Sequence, residues 1–142
     1  MSRQVLIASL LWLSMADSAV AAGLPRTPAP AEARVYFISP VDGQKLKGEV
    51  TVRFGLLGMG VAPAGTSAEG TGHHHLIIDS PPPALDQPLP KDDKHLHFGK
   101  GQTETVLRLA PGKHTLQLIL GDANHIPHEP PVVSERISIT VK

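Results

Sequence analysis

The sequence predicts an all-β fold: an immunoglobulin-like antiparallel β-sandwich of about seven strands, preceded by a signal peptide. Short segments alternate apolar and polar residues with a period of two, which is typical of strands buried on one face. No window shows sustained helical periodicity, and 14 prolines and 13 glycines interrupt the chain throughout. Short strands separated by frequent turn signals favour two packed sheets.

Six segments carry the strand pattern. Residues 34–39 are rich in β-branched and aromatic side chains, and residues 48–56 place Val50, Val52 and Phe54 on one face. The remaining candidates are residues 73–79, 103–109, 113–120 and 132–141. Because Ala110-Pro111-Gly112 separates the fourth from the fifth segment, these two are predicted to form a hairpin.

The N-terminal residues have the pattern of a secretory signal peptide. Arg3 precedes an apolar run, and Ala19-Val20-Ala21 provides small residues for cleavage after Ala21 or Ala22. The run is shorter than the ~20 residues that a bilayer requires, so we expect no membrane span after cleavage. We therefore predict a signal peptide at 1–22, a Pro/Ala-rich tether at 23–33, and a single periplasmic domain at 34–142.

Composition excludes several classes of function. Lysine plus arginine and aspartate plus glutamate number 13 each, so the chain lacks the excess positive charge of a nucleic-acid-binding protein. The absence of cysteine excludes thiolate zinc sites and blue-copper centres. No phosphate-binding loop, nucleophile elbow or pair of catalytic carboxylates is recognisable. An enzymatic role is left open, but a non-enzymatic one is favoured.

Histidine is the unusual residue: all eight lie between positions 73 and 128. In a strand, alternate side chains share a face, so the two histidines of an H-x-H pair can reach one metal ion. Two such pairs occur, and an H-x-x-H pair lies in a proline-rich loop. Neutral imidazole is a common ligand of copper and zinc. The candidate metal ligands, of which three or four would coordinate, are His73, His75, His95, His97, His125 and His128.

Nearby carboxylates allow two interpretations of these histidines. Asp79, Glu104 and Asp122 would orient the rings of metal ligands by hydrogen bonding. Alternatively, the histidines would donate to these carboxylates and to backbone carbonyls, and would order the loops without a metal. His74 and His114 share strand faces with leucine and isoleucine, so we expect them to be ordinary core residues.

Five segments carry a family resemblance: VRFGLLGMGVAPAGT, TGHHHLIID, LDQPLP, HLHFGKGQTET and PGKHTLQLILGDANHIPHEPPVVSERISITVK. Together they closely resemble the bacterial domain-of-unknown-function family 4399, over about residues 34–142. The resemblance implies a small exported β protein and implies no activity. The histidine strings belong to the family's pattern and are all present here.

The sequence thus supports two functional hypotheses. The first is a periplasmic module that binds copper or zinc, for binding, buffering or delivery of the ion. The second is a metal-free immunoglobulin-like interaction domain for an envelope protein or glycan, whose histidines order its loops. The sequence predicts neither the partner nor the oligomeric state.

Overall fold

The computed structural model describes residues 24–142, which form nine β-strands and no helix. The predicted signal peptide lies outside the described residues. Within the described part, no helix is long and apolar enough to cross a membrane. In chain order the strands are β1 (Arg34–Ser39), β2 (Lys45–Leu46), β3 (Val50–Leu57), β4 (Gly60–Val61), β5 (Thr71–Ile78), β6 (His95–His97), β7 (Glu104–Leu107), β8 (Gly112–Gly121) and β9 (Ile137–Val141).

The strands form two sheets. The small sheet has the order β1-β3-β7, and the large sheet has the order β2-β9-β8-β5-β4, with β6 also paired to β5. Most pairs are antiparallel, but β2 runs parallel to β9 and β4 runs parallel to β5. The all-β prediction is therefore confirmed, whereas the large sheet is mixed rather than purely antiparallel.

The main core lies between the two sheets. The small sheet contributes Val50, Val52 and Phe54, the three residues expected from the alternation in β3. The large sheet contributes alternate residues of β5, β8 and β9, among them Leu76 and Leu118. Side chains of both sheets thus share one apolar layer, as in a β-sandwich.

The predicted hairpin between the segments around β7 and β8 is wrong. Strand β7 pairs with β3, whereas β8 pairs with β5 and β9, so the two strands belong to different sheets. The turn at Ala110-Pro111 carries the chain across the sandwich. Alternation determines which face of a strand is buried but not which strand lies beside it, and Leu107 and Leu116 both point into the shared core.

Residues 26–29, which we call the N-terminal strap, lie against the loop that follows β8. The Ala29 amide donates to the Glu129 carbonyl at 2.9 Å, and the Glu129 amide donates to the Thr27 carbonyl at 2.9 Å. The Arg26 side chain bonds to the carbonyls of Pro127 and His128 and to the Glu129 carboxylate. Part of the segment predicted to be a tether therefore pairs with the loop that follows β8.

Candidate metal centre

Strand β5 is buried on both faces, and each face has a different role. His74, Leu76 and Ile78 point toward the main core, as the alternation predicts. His73, His75 and Ile77 point to the outer face of the large sheet. There Ile77 packs with Leu89 and Ile119 in a second apolar cluster, formed partly by the long connection after β5. This covering makes the outer face a second buried layer.

Four histidines converge in that layer. His73 and His75 come from β5, His97 comes from β6, where it is paired with His75, and His125 comes from the loop after β8. One ring nitrogen from each lies within 4.8 Å of the other three. The Nε2 atom of His73 is 3.0 Å from Nε2 of His75 and 3.0 Å from Nδ1 of His125. We call this group the four-histidine centre.

The loop that carries His125 is held by Asp122. One carboxylate oxygen of Asp122 accepts hydrogen bonds from the amides of Asn124 and Ile126, at 2.8 and 3.0 Å. The other accepts from the Thr27 hydroxyl at 2.7 Å. His125 has a φ of 66°, an uncommon conformation for a residue with a side chain, which these bonds and a Leu89 amide on the His125 carbonyl stabilise.

Two glycines leave room for the rings. A Cβ atom at Gly99 would overlap the His97 ring, and one at Gly121 would lie 2.9 Å from Nε2 of His75. Both contacts are closer than real Cβ atoms make, so a side chain at either position would require the neighbouring imidazole to move.

Burial favours the neutral forms of His73, His75 and His97. It lowers the pKa of His73 to about 4, with further lowering by His125 and His97, although the Asp122 carboxylate opposes it. Burial also lowers the pKa of His75 to about 2, again aided by the neighbouring rings. The pKa of His97 is lowered by burial, by His125 and by Lys91. Neutral imidazole is the form that binds a metal ion, because its lone pair is free.

The four rings make no other hydrogen bonds within the described residues. Nδ1 of His75 and Nε2 of His97 are buried without a partner. Nε2 of His73 faces two nitrogens at once, and if it carried a proton it would donate to only one of them. A single cation would instead accept the lone pairs of all the converging nitrogens. The chemistry of this arrangement is thus that of a site able to hold a metal ion.

The other two predicted ligands lie outside the centre. His95 shares the outer face but bonds through Nδ1 to Asp92 at 2.8 Å. His128 is fully buried, and its Nε2 bonds to the Thr71 carbonyl at 3.2 Å. Each of these two rings therefore has a protein partner at one nitrogen, and the structure brings the other four candidates together.

The three predicted orienting carboxylates also differ in position. Asp122 supports the centre, but through loop amides rather than through an imidazole. Asp79 binds His114 and the Thr115 amide at the far end of β5. Glu104 lies on the small sheet, where it forms an exposed ion pair with Arg53. Of the three, only Asp122 contacts a segment that carries one of the four rings.

The histidines expected in the core have different environments. His114 bonds at both ring nitrogens, to Asp79 and to the Ala110 carbonyl. His74 is fully buried against Phe54, and no group within residues 24–142 forms a well-aligned hydrogen bond with either of its ring nitrogens. Burial lowers its pKa to about 4, although the Gln102 backbone opposes this shift. His74 thus occupies the core without the hydrogen bonds expected of a buried histidine.

The model of one protein family matches residues 52–142, more than half of the chain. Its description is "Domain of unknown function (DUF4399)". The chain belongs to the DUF4399 family. This membership confirms the family resemblance of the sequence and covers the strands that carry three of the four rings together with the loop of His125. No match was found among curated proteins.

Two solved structures resemble this DUF4399 chain. The endo-β-1,4-mannanase from Thermotoga petrophila is 19% identical, with 78% of this chain and 20% of the mannanase chain covered and a TM-score of 0.47. The fibronectin(III)-like modules of Clostridium thermocellum CbhA are 11% identical, with 75% and 92% covered and a TM-score of 0.38. This chain therefore spans about a fifth of the mannanase.

Sequence reasoning missed the parts of the centre that are not histidine. Gly99 follows closely after His97 in the chain, and Gly121 is paired with His73 across two strands. The first proximity is visible in the sequence, but the second depends on strand register. No sequence pattern indicated a role for the strap residues Arg26 and Thr27, since their hydrogen-bond partners lie about 100 positions away in the chain.

Proposed function

We propose that this protein is a periplasmic metal-binding protein that holds one copper or zinc ion between His73, His75, His97 and His125. The observation that carries the proposal is the convergence of four ring nitrogens that have no carboxylate or carbonyl partner within residues 24–142. Without an ion, Nε2 of His73 would face two nitrogens and could bond to only one of them, and the buried Nε2 of His97 would be unpaired, which is unfavourable.

Access to the centre favours binding and release of an ion. A cavity of about 440 Å³ lies beside His97, and its lining includes Asp92, Asp93 and His95. His97 and His125 are partly exposed, whereas His73 and His75 are buried. An ion can thus arrive from the exposed side and be held by two rigid ligands of β5. Such an arrangement suits buffering or delivery.

The first test is isothermal titration of the metal-stripped protein with Zn(II) and Cu(II). We expect one-to-one binding tighter than about 1 μM, and loss of that binding in His97→Ala. His95→Ala is the matched control, because it removes a ring from the same strand outside the centre and should leave affinity unchanged. Absence of saturable binding by the wild-type protein would reject the proposal.

A second candidate function has one observation in its favour. The outer face of the small sheet exposes large apolar side chains, and Tyr36, Ile38 and Val106 are each about half exposed. Apolar surface of this kind is found at protein interaction sites. If no metal binds, an interaction domain for an envelope protein or glycan becomes the preferred hypothesis, and this face is where the partner would be sought.

A further inference from the structure

We infer that the four-histidine centre is built for tetrahedral coordination and that its cargo is Zn(II) rather than Cu(II). The inference rests on the proposed function and narrows it to one ion. Its basis is the arrangement of the four rings relative to one another.

The two coordination geometries place the rings at different separations. With metal–nitrogen distances of about 2.0–2.1 Å, a tetrahedron puts all six pairs of ring centroids about 5.1 Å apart. A square plane puts four pairs about 4.5 Å apart and two opposite pairs about 6.3 Å apart. In a square plane the two long pairs join opposite ligands and share no residue. One long pair therefore requires a second long pair between the other two rings.

The observed separations match the tetrahedron. Five of the six centroid pairs lie between 4.6 and 5.1 Å. The sixth, between His75 and His125, is longer at 6.0 Å. In a square plane the remaining pair, His73 and His97, would also be long, yet its centroids are 5.0 Å apart. The four ring centroids therefore form a tetrahedron with one lengthened edge.

The surrounding structure opposes a change to a square plane. His73 and His97 would have to separate by more than about 1 Å, although they lie on neighbouring strands of one sheet. On the other side, His125 is fixed by the loop bonds of Asp122 and by Leu89. Packed interiors yield to such displacements only at a cost in stability. The folded chain therefore selects among ions by geometry.

The ligand chemistry narrows the choice further. A site of nitrogen ligands normally binds Cu(II) more tightly than Zn(II), and a rigid tetrahedron acts against this order because Cu(II) prefers a tetragonal arrangement. Zn(II) has no such preference. No sulfur belongs to the four-histidine centre, so the soft ligands that select Cu(I) are missing from it. Four protein ligands also complete the shell of Zn(II), as in zinc sites that do not catalyse.

The experiment has two readouts on the metal-stripped protein. Co(II) is titrated as a spectroscopic substitute for Zn(II), and intense visible absorption is expected, because a tetrahedral site lacks the symmetry centre that keeps six-coordinate Co(II) pale. Zn(II) and Cu(II) are then compared in competition with the same chelator. We expect the affinity for Zn(II) to equal or exceed that for Cu(II). A pale Co(II) complex or tighter binding of Cu(II) would overturn the inference.

Controls separate this inference from the proposed function. His95→Ala should retain both readouts, whereas His97→Ala should lose the Co(II) absorption while its circular dichroism shows a folded domain. Failure of all the ions to bind would reject the proposed function itself, whereas binding with a pale Co(II) spectrum would reject only the tetrahedral centre. A further titration with Cu(I) under argon tests the cargo: stoichiometric displacement of Zn(II) would overturn its assignment.

Discussion

The four-histidine centre and the His114–Asp79 pair use the same side chain in opposite ways. His114 bonds to Asp79 at 2.6 Å and to the Ala110 carbonyl at 2.7 Å, so both of its nitrogens are occupied. Its pKa is raised, chiefly by the hydrogen bond to Asp79. In the centre, burial and neighbouring rings lower the pKa values of His73, His75 and His97.

The contrast shows what makes a histidine available to a metal ion. A ring beside a carboxylate is stabilised as a cation, and its nitrogens are taken by protein partners. A ring buried among other rings is kept neutral, and its lone pair faces its neighbours. Burial alone is not enough, since His74 is as buried as His73 but faces the apolar core alone.

The largest expected effect is acid lability of the metal-free protein. The pKa values of His73 and His74 are about 4 and that of His75 is about 2, all below the ordinary value of 6.5. Between these values the unfolded chain binds more protons than the folded one, so stability falls as pH falls below 6.5. At pH 5 each ring should lower the free energy of unfolding by about 2 kcal/mol.

Urea unfolding of the metal-free protein at pH 7.5, 6 and 5 measures this effect. A free energy of unfolding that stays constant over this range would show that the rings take up protons in the folded state as readily as in the unfolded chain. The contrast with His114 would then be lost.

Gly99→Ala tests whether the centre depends on the close approach of the backbone. The added Cβ would overlap the His97 ring and displace it, so we expect Zn(II) affinity to fall by roughly tenfold to a hundredfold, as for residues that orient a ligand. Gly60→Ala is the matched control, because its Cβ would meet the nearest atom, on Thr71, at 3.7 Å. Equal affinities of the two variants, measured by titration, would show that the close approach of Gly99 does not position His97 for binding.

His74→Leu separates the two faces of β5. The substitution removes two buried nitrogens that lack partners and replaces them with apolar atoms, so we expect a gain of about 1–3 kcal/mol in the free energy of unfolding. Zn(II) affinity should be unchanged, because the ring points away from the centre. Thermal unfolding and metal titration of the same variant check both statements; a loss of Zn(II) binding would place His74 in the site.

The smallest effect is expected at the His114 pair. Asp79 is 38% exposed, and ion pairs of this kind contribute less than about 1 kcal/mol. Because the pKa of His114 is raised, the contribution is present below pH 6.5 and is lost as pH rises through the raised value. Asp79→Asn should therefore destabilise the protein more at pH 5.5 than at pH 8. The opposite order in chemical unfolding would contradict the assigned charge of His114.

Local sequence pattern predicted much of this molecule. Alternation located six strand regions, with β1 at the predicted residues, and it assigned His73 and His75 to one face of β5 and His74 to the other. Spacing could not distinguish His97 from His95, because both point to the same face. Register decided between them: His97 lies opposite His75, whereas His95 lies opposite Ile77 and near Asp92. The hairpin failed for a related reason, since partner strands are chosen by tertiary packing.

The N-terminal strap has a consequence for the order of folding. Thr27 and Arg26 hold the His125 loop from 95 and 101 residues away in the chain. Contacts between residues so far apart in the chain form late in folding, because closing the loop costs chain entropy before the contact contributes any favourable free energy. His125 should therefore reach its place after the sheets have assembled. In small zinc domains the ion drives folding, whereas here we expect the ion to meet a sandwich that has already folded.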